Sequence, residues 1–163
     1  MKYISRSIDK TLEEWKESTT HKPLLLRGAR QVGKSSAVRH LGTQFKYFAE
    51  VNFESAKSIA TFFKGDLDVK LISSKISNYI QVPIIPGQTL LFLDEIQACP
   101  EAIMALRFFK EDYPELHVIA AGSLLEFALQ SLPTFGVGRI HSVFMYPMTF
   151  DEFLVAMDMG GLL

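Results

Sequence analysis

Short, continuous apolar runs alternate along this chain with longer segments of helical period. Leu24-Leu25-Leu26, Thr89-Leu90-Leu91-Phe92-Leu93 and His117-Val118-Ile119-Ala120-Ala121 lack the in/out alternation of a half-exposed strand. Such runs are expected where a strand is buried on both faces, as in parallel sheets. Phe45 to Phe53 mixes aromatic and β-branched residues with partial alternation and reads as a second strand in chain order, and His141 to Tyr146 as a fifth. Between these runs, helical spacing predicts a short amphipathic helix over Asp9 to Thr19, carrying Leu12 and Trp15. A helix ending near Gly42 follows the first strand, and Ser55 to Tyr79 reads as two helices broken near Gly65-Asp66. Pro100 to Tyr113 places Ile103, Leu106 and Phe109 on one face, and Leu124 to Gln130 is a short helix. Pro83, Pro86 and Gly87 mark one loop, and Pro133 to Gly138 another. Strands alternating with helices predict an α/β fold, a three-layer α/β/α sandwich around a parallel sheet.

The turn after the first strand carries the chemistry. Gly28-Ala29-Arg30-Gln31-Val32-Gly33-Lys34-Ser35 is a complete G-x-x-x-x-G-K-[ST] run, followed by the helix-compatible Ser36-Ala37-Val38-Arg39-His40-Leu41. Two glycines let the backbone wrap closely around an anion, and successive N–H groups with the helix N-terminus point at phosphates. Lys34 adds a mobile positive charge for the β- and γ-phosphates, and the Ser35 hydroxyl suits Mg²⁺. Gly28, Ala29, Arg30, Gln31, Val32, Gly33, Lys34, Ser35 and Ser36 are therefore the expected nucleotide-binding residues. A glycine-punctuated surface turn is the competing explanation, and the agreement of strand, loop and helix argues against it.

Asp94 and Glu95 follow the most apolar strand and so reach its carboxyl tip, the edge where open α/β sheets bind ligands. Asp94 is expected to serve Mg²⁺ together with Ser35, and Glu95 to polarise the water that attacks a γ-phosphate. Adjacent residues on a strand face opposite ways, which allows this division of labour. Ser123, at the end of the next strand, has two compatible roles. It can sense the γ-phosphate, or it can cap the helix from Leu124 with Glu126 completing a capping box.

Taken together, these residues resemble the AAA-like P-loop ATPases of bacteria and archaea, in which an amino-terminal ATPase core precedes a carboxyl-terminal domain of uncharacterised function. The resemblance rests on Arg27 to Ser35, Val51-Asn52-Phe53-Glu54, Leu93-Asp94-Glu95-Ile96-Gln97, Gly122-Ser123-Leu124-Leu125, Gly138-Arg139-Ile140 and Tyr146 to Phe153. It spans about residue 20 to 155. It implies a five-stranded parallel sheet in the order 5-1-4-3-2, with ATP and Mg²⁺ as ligands. It also implies the metal and water-activating roles for Asp94 and Glu95 and a sensor-like role for Ser123. Gln97 follows the acidic pair in the family pattern and reads as support for it. Arg139 falls at the family's Gly-Arg position, a candidate γ-phosphate arginine acting in cis or across a subunit interface; an ordinary surface arginine fits that position equally. Family members continue beyond the Pro-Met-Thr-Phe-Asp-Glu-Phe motif, so residues 1–163 are expected to be a single ATPase core cut short before that further domain.

Composition narrows the alternatives. The 163 residues suffice for one well-buried core, and 17 basic against 18 acidic residues give no global charge for nucleic acid or anionic membranes. Phe62, Phe63, Phe108 and Phe109 stand at core-helix spacing rather than as a base-stacking platform. Cys99 is the single cysteine, which fits a reducing cytoplasm. No apolar run approaches a membrane span, Met1 to Lys10 is too polar for a signal peptide, and the four histidines lack metal-ligand spacing. The expected function is Mg-dependent ATP hydrolysis, slow in an isolated core, with an ATP-gated switch or scaffold of little turnover as the alternative. The absence of an Asn-Lys-x-Asp motif disfavours GTP. The expected partners are a homo-oligomeric copy, the further domain, or a protein client.

Overall fold

The computed structural model describes residues 2–132 and 138–162. Five strands form one sheet: β1 (Leu24–Arg27), β2 (Tyr47–Asn52), β3 (Thr89–Asp94), β4 (His117–Gly122) and β5 (His141–Phe144). Their order is β2-β3-β4-β1-β5 and every pairing is parallel. This is the expected 5-1-4-3-2 read from the other edge. Among the described residues six α-helices connect or flank them: α1 (Ile8–Glu17), α2 (Lys34–Gly42), α3 (Val69–Ile80), α4 (Pro100–Asp112), α5 (Leu125–Gln130) and α6 (Phe150–Ala156).

The apolar runs resolve into two faces with the period of a strand. Leu24, Leu26, Leu90, Phe92, Ile119 and Ala121 point to one side, where α1 adds Leu12 and Trp15 and α2 adds Ala37, Val38 and Leu41. Leu25, Leu91, Leu93, Val118 and Ala120 point to the other, beneath α3 and α4 with Ile72, Ile76, Ile103, Leu106 and Phe109. The core strand β3 is buried along its whole length. Truncating one of these leucines to alanine removes packing worth about 2–5 kcal/mol. Phe63 and Phe109 lie in this core, with Phe62 and Phe108 packed against it.

Several local expectations are adjusted. The region after β2 begins with a 3-10 turn over Lys57–Phe63 rather than an α-helix, and Asp68 caps α3 through Leu71 N. The capping box at Ser123 does not form. Leu124, in left-handed backbone with φ of 54°, precedes α5, and no side chain caps that helix. In the expected loop from Pro133 to Gly138, residues 133–137 lie outside the described residues. No helix among those described is long and apolar enough to cross a membrane.

Because all strands run the same way, their carboxyl ends share one edge. Register sets Arg27 beside Gly122 and Phe144, and Asn52 beside Asp94. The glycine-rich loop, the acidic pair and Ser123 all leave from this edge.

Candidate nucleotide-binding site

The loop from Gly28 to Gly33 is shaped by close approach as much as by flexibility. A Cβ on Gly28 would run into the Met145 carbonyl oxygen where β5 ends, and Gly33 precedes α2 in left-handed backbone with φ of 103°. Gln31 also takes the left-handed region. Val32 turns inward among Ile8, Leu26 and Val38, anchoring the middle of the loop to the core. The result is a fixed hoop above the N-terminus of α2, whose first amides have no intrahelical acceptor.

Lys34 is 8% exposed and curls back over this hoop, its Nζ donating to Gly28 O at 2.9 Å and Ala29 O at 2.6 Å. Burial lowers its pKa, while the nearby Glu95 and then Asp94 carboxylates pull the other way. The Ser35 hydroxyl donates to Asp94 Oδ2 at 2.7 Å, joining the start of α2 to the end of β3. Asp94 Oδ1 accepts from the Glu95 amide at 2.9 Å. Two hard oxygens, a hydroxyl and a carboxylate, thus meet directly beside the loop. That donor set fits Mg²⁺, which completes its shell with water and phosphate oxygens.

Glu95 leaves the strand in left-handed backbone (φ 52°, ψ 46°) rather than continuing it, so its direction is set by the turn and not by strand alternation. Its Oε2 accepts from Gln97 Nε2 at 2.5 Å. Ser123 is 3% exposed, and its Oγ is buried without a hydrogen-bond partner. A buried hydroxyl left unsatisfied is costly, and at this edge it is available to a ligand. Arg30 reaches away from the loop to Glu54 at 3.5 Å, and Ser36 is exposed on α2.

Arg139 is not brought to this site. It lies two residues before His141, which pairs with Leu24 at the amino end of β1, and its guanidinium meets Glu111 near the end of α4. That is the end of the strands opposite the edge from which the loop leaves. Its place is that of a partly exposed surface arginine paired with Glu111, away from the loop of its own chain.

A groove of about 480 Å³ opens beside α2, lined by Tyr3, Arg6, Ser36, Arg39, His40 and Met148. Its size is in the range of small-ligand pockets. Tyr3 and His40 stack in it with ring centroids 3.8 Å apart. Sequence reasoning missed this wall of the site. Arg6 was missed too: its Nη1 donates to the loop carbonyl of Val32 at 2.7 Å and its Nη2 to Tyr146 O at 2.9 Å, with Glu152 at 3.3 Å from Nε. Glu152 belongs to the Tyr146 to Phe153 motif, and its Thr149-x-x-Glu152 capping-box spacing forms.

Residues 20–154 match the family model described as an AAA domain, while a search of curated proteins finds no match. Among solved structures the chain is similar to the Orc1 protein of Aeropyrum pernix, determined in complex with DNA. That match has a TM-score of 0.57 and 15% identity and covers 95% of this chain and 47% of the other. This chain thus spans about half the length of that protein, and at such identity the likeness is one of fold. The family match, with the five-stranded parallel sheet behind it, means that this chain belongs to the AAA-like P-loop ATPases.

Proposed function

We propose that this chain binds ATP with Mg²⁺ at the Gly28–Ser36 loop and hydrolyses it. The observation that carries this reading is the 2.7 Å bond between Ser35 Oγ and Asp94 Oδ2. It joins the two expected metal oxygens across elements 59 residues apart in sequence. Loop amides and the α2 N-terminus would hold the triphosphate, and Lys34 would exchange its two carbonyl partners for phosphate oxygens. Ser35 and Asp94 would hold Mg²⁺, which neutralises phosphate charge. Glu95 would orient the water for in-line attack, and the Ser123 hydroxyl would gain its missing partner at the γ-phosphate or that water. The groove beside Tyr3 and His40 would take the nucleoside. A single P-loop core followed by a further domain agrees with the exposed apolar side chains Phe127, Tyr146, Phe150 and Phe153 near the carboxyl edge. The DNA that accompanies the Orc1 protein is not carried over: this chain has a net charge of −1, and the four phenylalanines considered for base stacking pack in or against the core.

The test is equilibrium binding of ATP, ADP and GTP with Mg²⁺, then phosphate release, for the wild type, Lys34→Ala and Glu95→Gln. Saturable ATP binding lost in Lys34→Ala and kept in Glu95→Gln, with turnover lost in both, is the expected pattern. Binding that survives Lys34→Ala removes the site. Binding without turnover in the wild type leaves the ATP-gated switch, in which nucleotide orders an interface.

A further inference from the structure

The turn that follows the acidic pair is built more tightly than an acidic strand end requires. Ile96 is fully buried and Cys99 nearly so, and they pin a 3-10 turn over Ile96–Ala98 against the sheet edge. Gln97 is the residue between these anchors that turns back toward the sheet. Its amide spans two groups from different strands. On one side Nε2 donates to Glu95 Oε2. On the other, Oε1 is buried, has no hydrogen-bond partner, and lies where a Cβ on Gly122 would stand. Since the carboxylate can only accept, the amide is oriented with its nitrogen toward Glu95. Gly122 does not take left-handed backbone, so its lack of a side chain answers to the space around it and not to a turn: Gln97 Oε1 comes nearest to where a Cβ would stand, with Leu125 at 3.2 Å behind it.

Glu95 would otherwise be poorly held. Its backbone is in a left-handed conformation that a non-glycine residue adopts at a cost, and a glutamate has several rotatable bonds to fix. The Gln97 bond restrains one carboxylate oxygen. The other accepts no hydrogen bond from the described residues, and the carboxylate is close enough to the loop for Glu95 to be the leading charge felt by Lys34.

We propose that Gln97, seated on the bare Cα of Gly122, is the positioning residue that aims the Glu95 carboxylate at the loop, and that Gln97 and Gly122 act as one unit. This rests on Glu95 being the water-orienting carboxylate. It predicts a kinetic signature that packing alone would not give. Loss of aim affects the chemical step and not ground-state binding, and a misplacement of about 1 Å at a reacting group can cost roughly 100-fold.

The experiment compares wild type, Gln97→Ala, Gly122→Ala and the double variant by Kd for Mg·ATP, kcat and thermal midpoint. Both single variants are expected to lower kcat about 10- to 100-fold with Kd within about 2-fold of wild type. Gly122→Ala is expected to lose thermal stability, because its Cβ displaces Gln97. The double variant regains most of that stability, the Gln97 space being vacated and only the looser Leu125 contact remaining, while its kcat stays no lower than that of either single. Stability restored without activity separates positioning from packing. Wild-type kcat in Gln97→Ala overturns the proposal and leaves the ATPase reading intact. Full additivity in kcat overturns the coupling with Gly122. A wild type that binds ATP and releases no phosphate overturns the hydrolysis reading and this inference with it.

Discussion

Replacing Glu152 by glutamine tests whether the carboxyl-terminal helix is held to the phosphate loop by charge. Glu152 Oε1 accepts from the Ser7 amide at 2.8 Å and the Ser7 hydroxyl at 2.7 Å, and Oε2 accepts from the Thr149 amide at 2.8 Å. Its side chain is 10% exposed. Burial pushes its pKa up, but the Ser7 and Thr149 donors and Arg6 outweigh it and hold the group at about 2, against 4.5 unperturbed. Taken at face value this difference is worth ~3 kcal/mol of folding stability. Screening at the surface reduces it, and about 1.5 kcal/mol is a reasonable expectation. The folded pKa is depressed, so the contribution is complete above pH ~4.5, falls as pH drops toward 2, and is more than half lost by about pH 3. Glutamine keeps the shape but turns an NH₂ toward a donor. Glu152→Gln is therefore expected to lose ~1.5 kcal/mol at neutral pH, about 3–6 °C in thermal midpoint. Urea unfolding of both proteins at pH 7 and pH 3, at constant ionic strength, measures the gap. Equal stability at pH 7, or a gap that fails to shrink at pH 3, would refute the reasoning.

Three further outcomes follow from single observations. Ser123→Ala removes a buried hydroxyl that has no partner among the described residues, so the unfolding free energy of the nucleotide-free protein in urea should hold or rise by up to ~1 kcal/mol while phosphate release falls. Arg139→Ala breaks an exposed pair with Glu111, costing under ~1 kcal/mol, and should leave the Mg·ATP Kd in calorimetry unchanged; a tenfold weakening would contradict its place at the far edge. Cys99 is buried and its thiol is pushed up to about 11, so native-state reaction with a disulfide reagent at pH 8 should run at least ~100-fold slower than in urea. Comparable rates would show the thiol to be exposed.

The parts of this molecule legible in its sequence are those whose signal is local. Leu24 to Leu26 and Leu90 to Leu93 announce buried parallel strands because both faces must be apolar, and the glycine spacing of the loop announces backbone bent around an anion. Ser123 was half legible. Its place at a strand end is right, but the capping reading gave weight to Glu126 three residues on, and the chain instead turns through left-handed backbone at Leu124. Arg139 shows the same limit from the other side. Its motif neighbours suggested phosphate chemistry, whereas the register of His141 against Leu24 sends it to the amino end of the sheet. Tyr3, Arg6 and His40 carry no spacing rule at all. They meet across the fold, Arg6 reaching Val32 over 26 positions and Tyr146 over 140.

These long-range contacts bear on how fast such a site can turn over. The arginines around the loop and groove are each already engaged: Arg6 with Glu152, Arg27 with Glu126, Arg30 with Glu54 and Arg39 with Glu50. Arg27 also lies over the Phe144 ring at 4.6 Å. The positive charge left at the loop is then Lys34 with the α2 N-terminus, and Arg139 lies at the amino end of the strands. In P-loop enzymes the arginine that stabilises the transition state is worth about 10³–10⁵ in rate and can arrive from another molecule. On the reading proposed here, the chain holds the loop, the metal oxygens and an aimed carboxylate, and fast turnover would require either the release of Arg27 or Arg30 from its partner or an arginine supplied by a second copy.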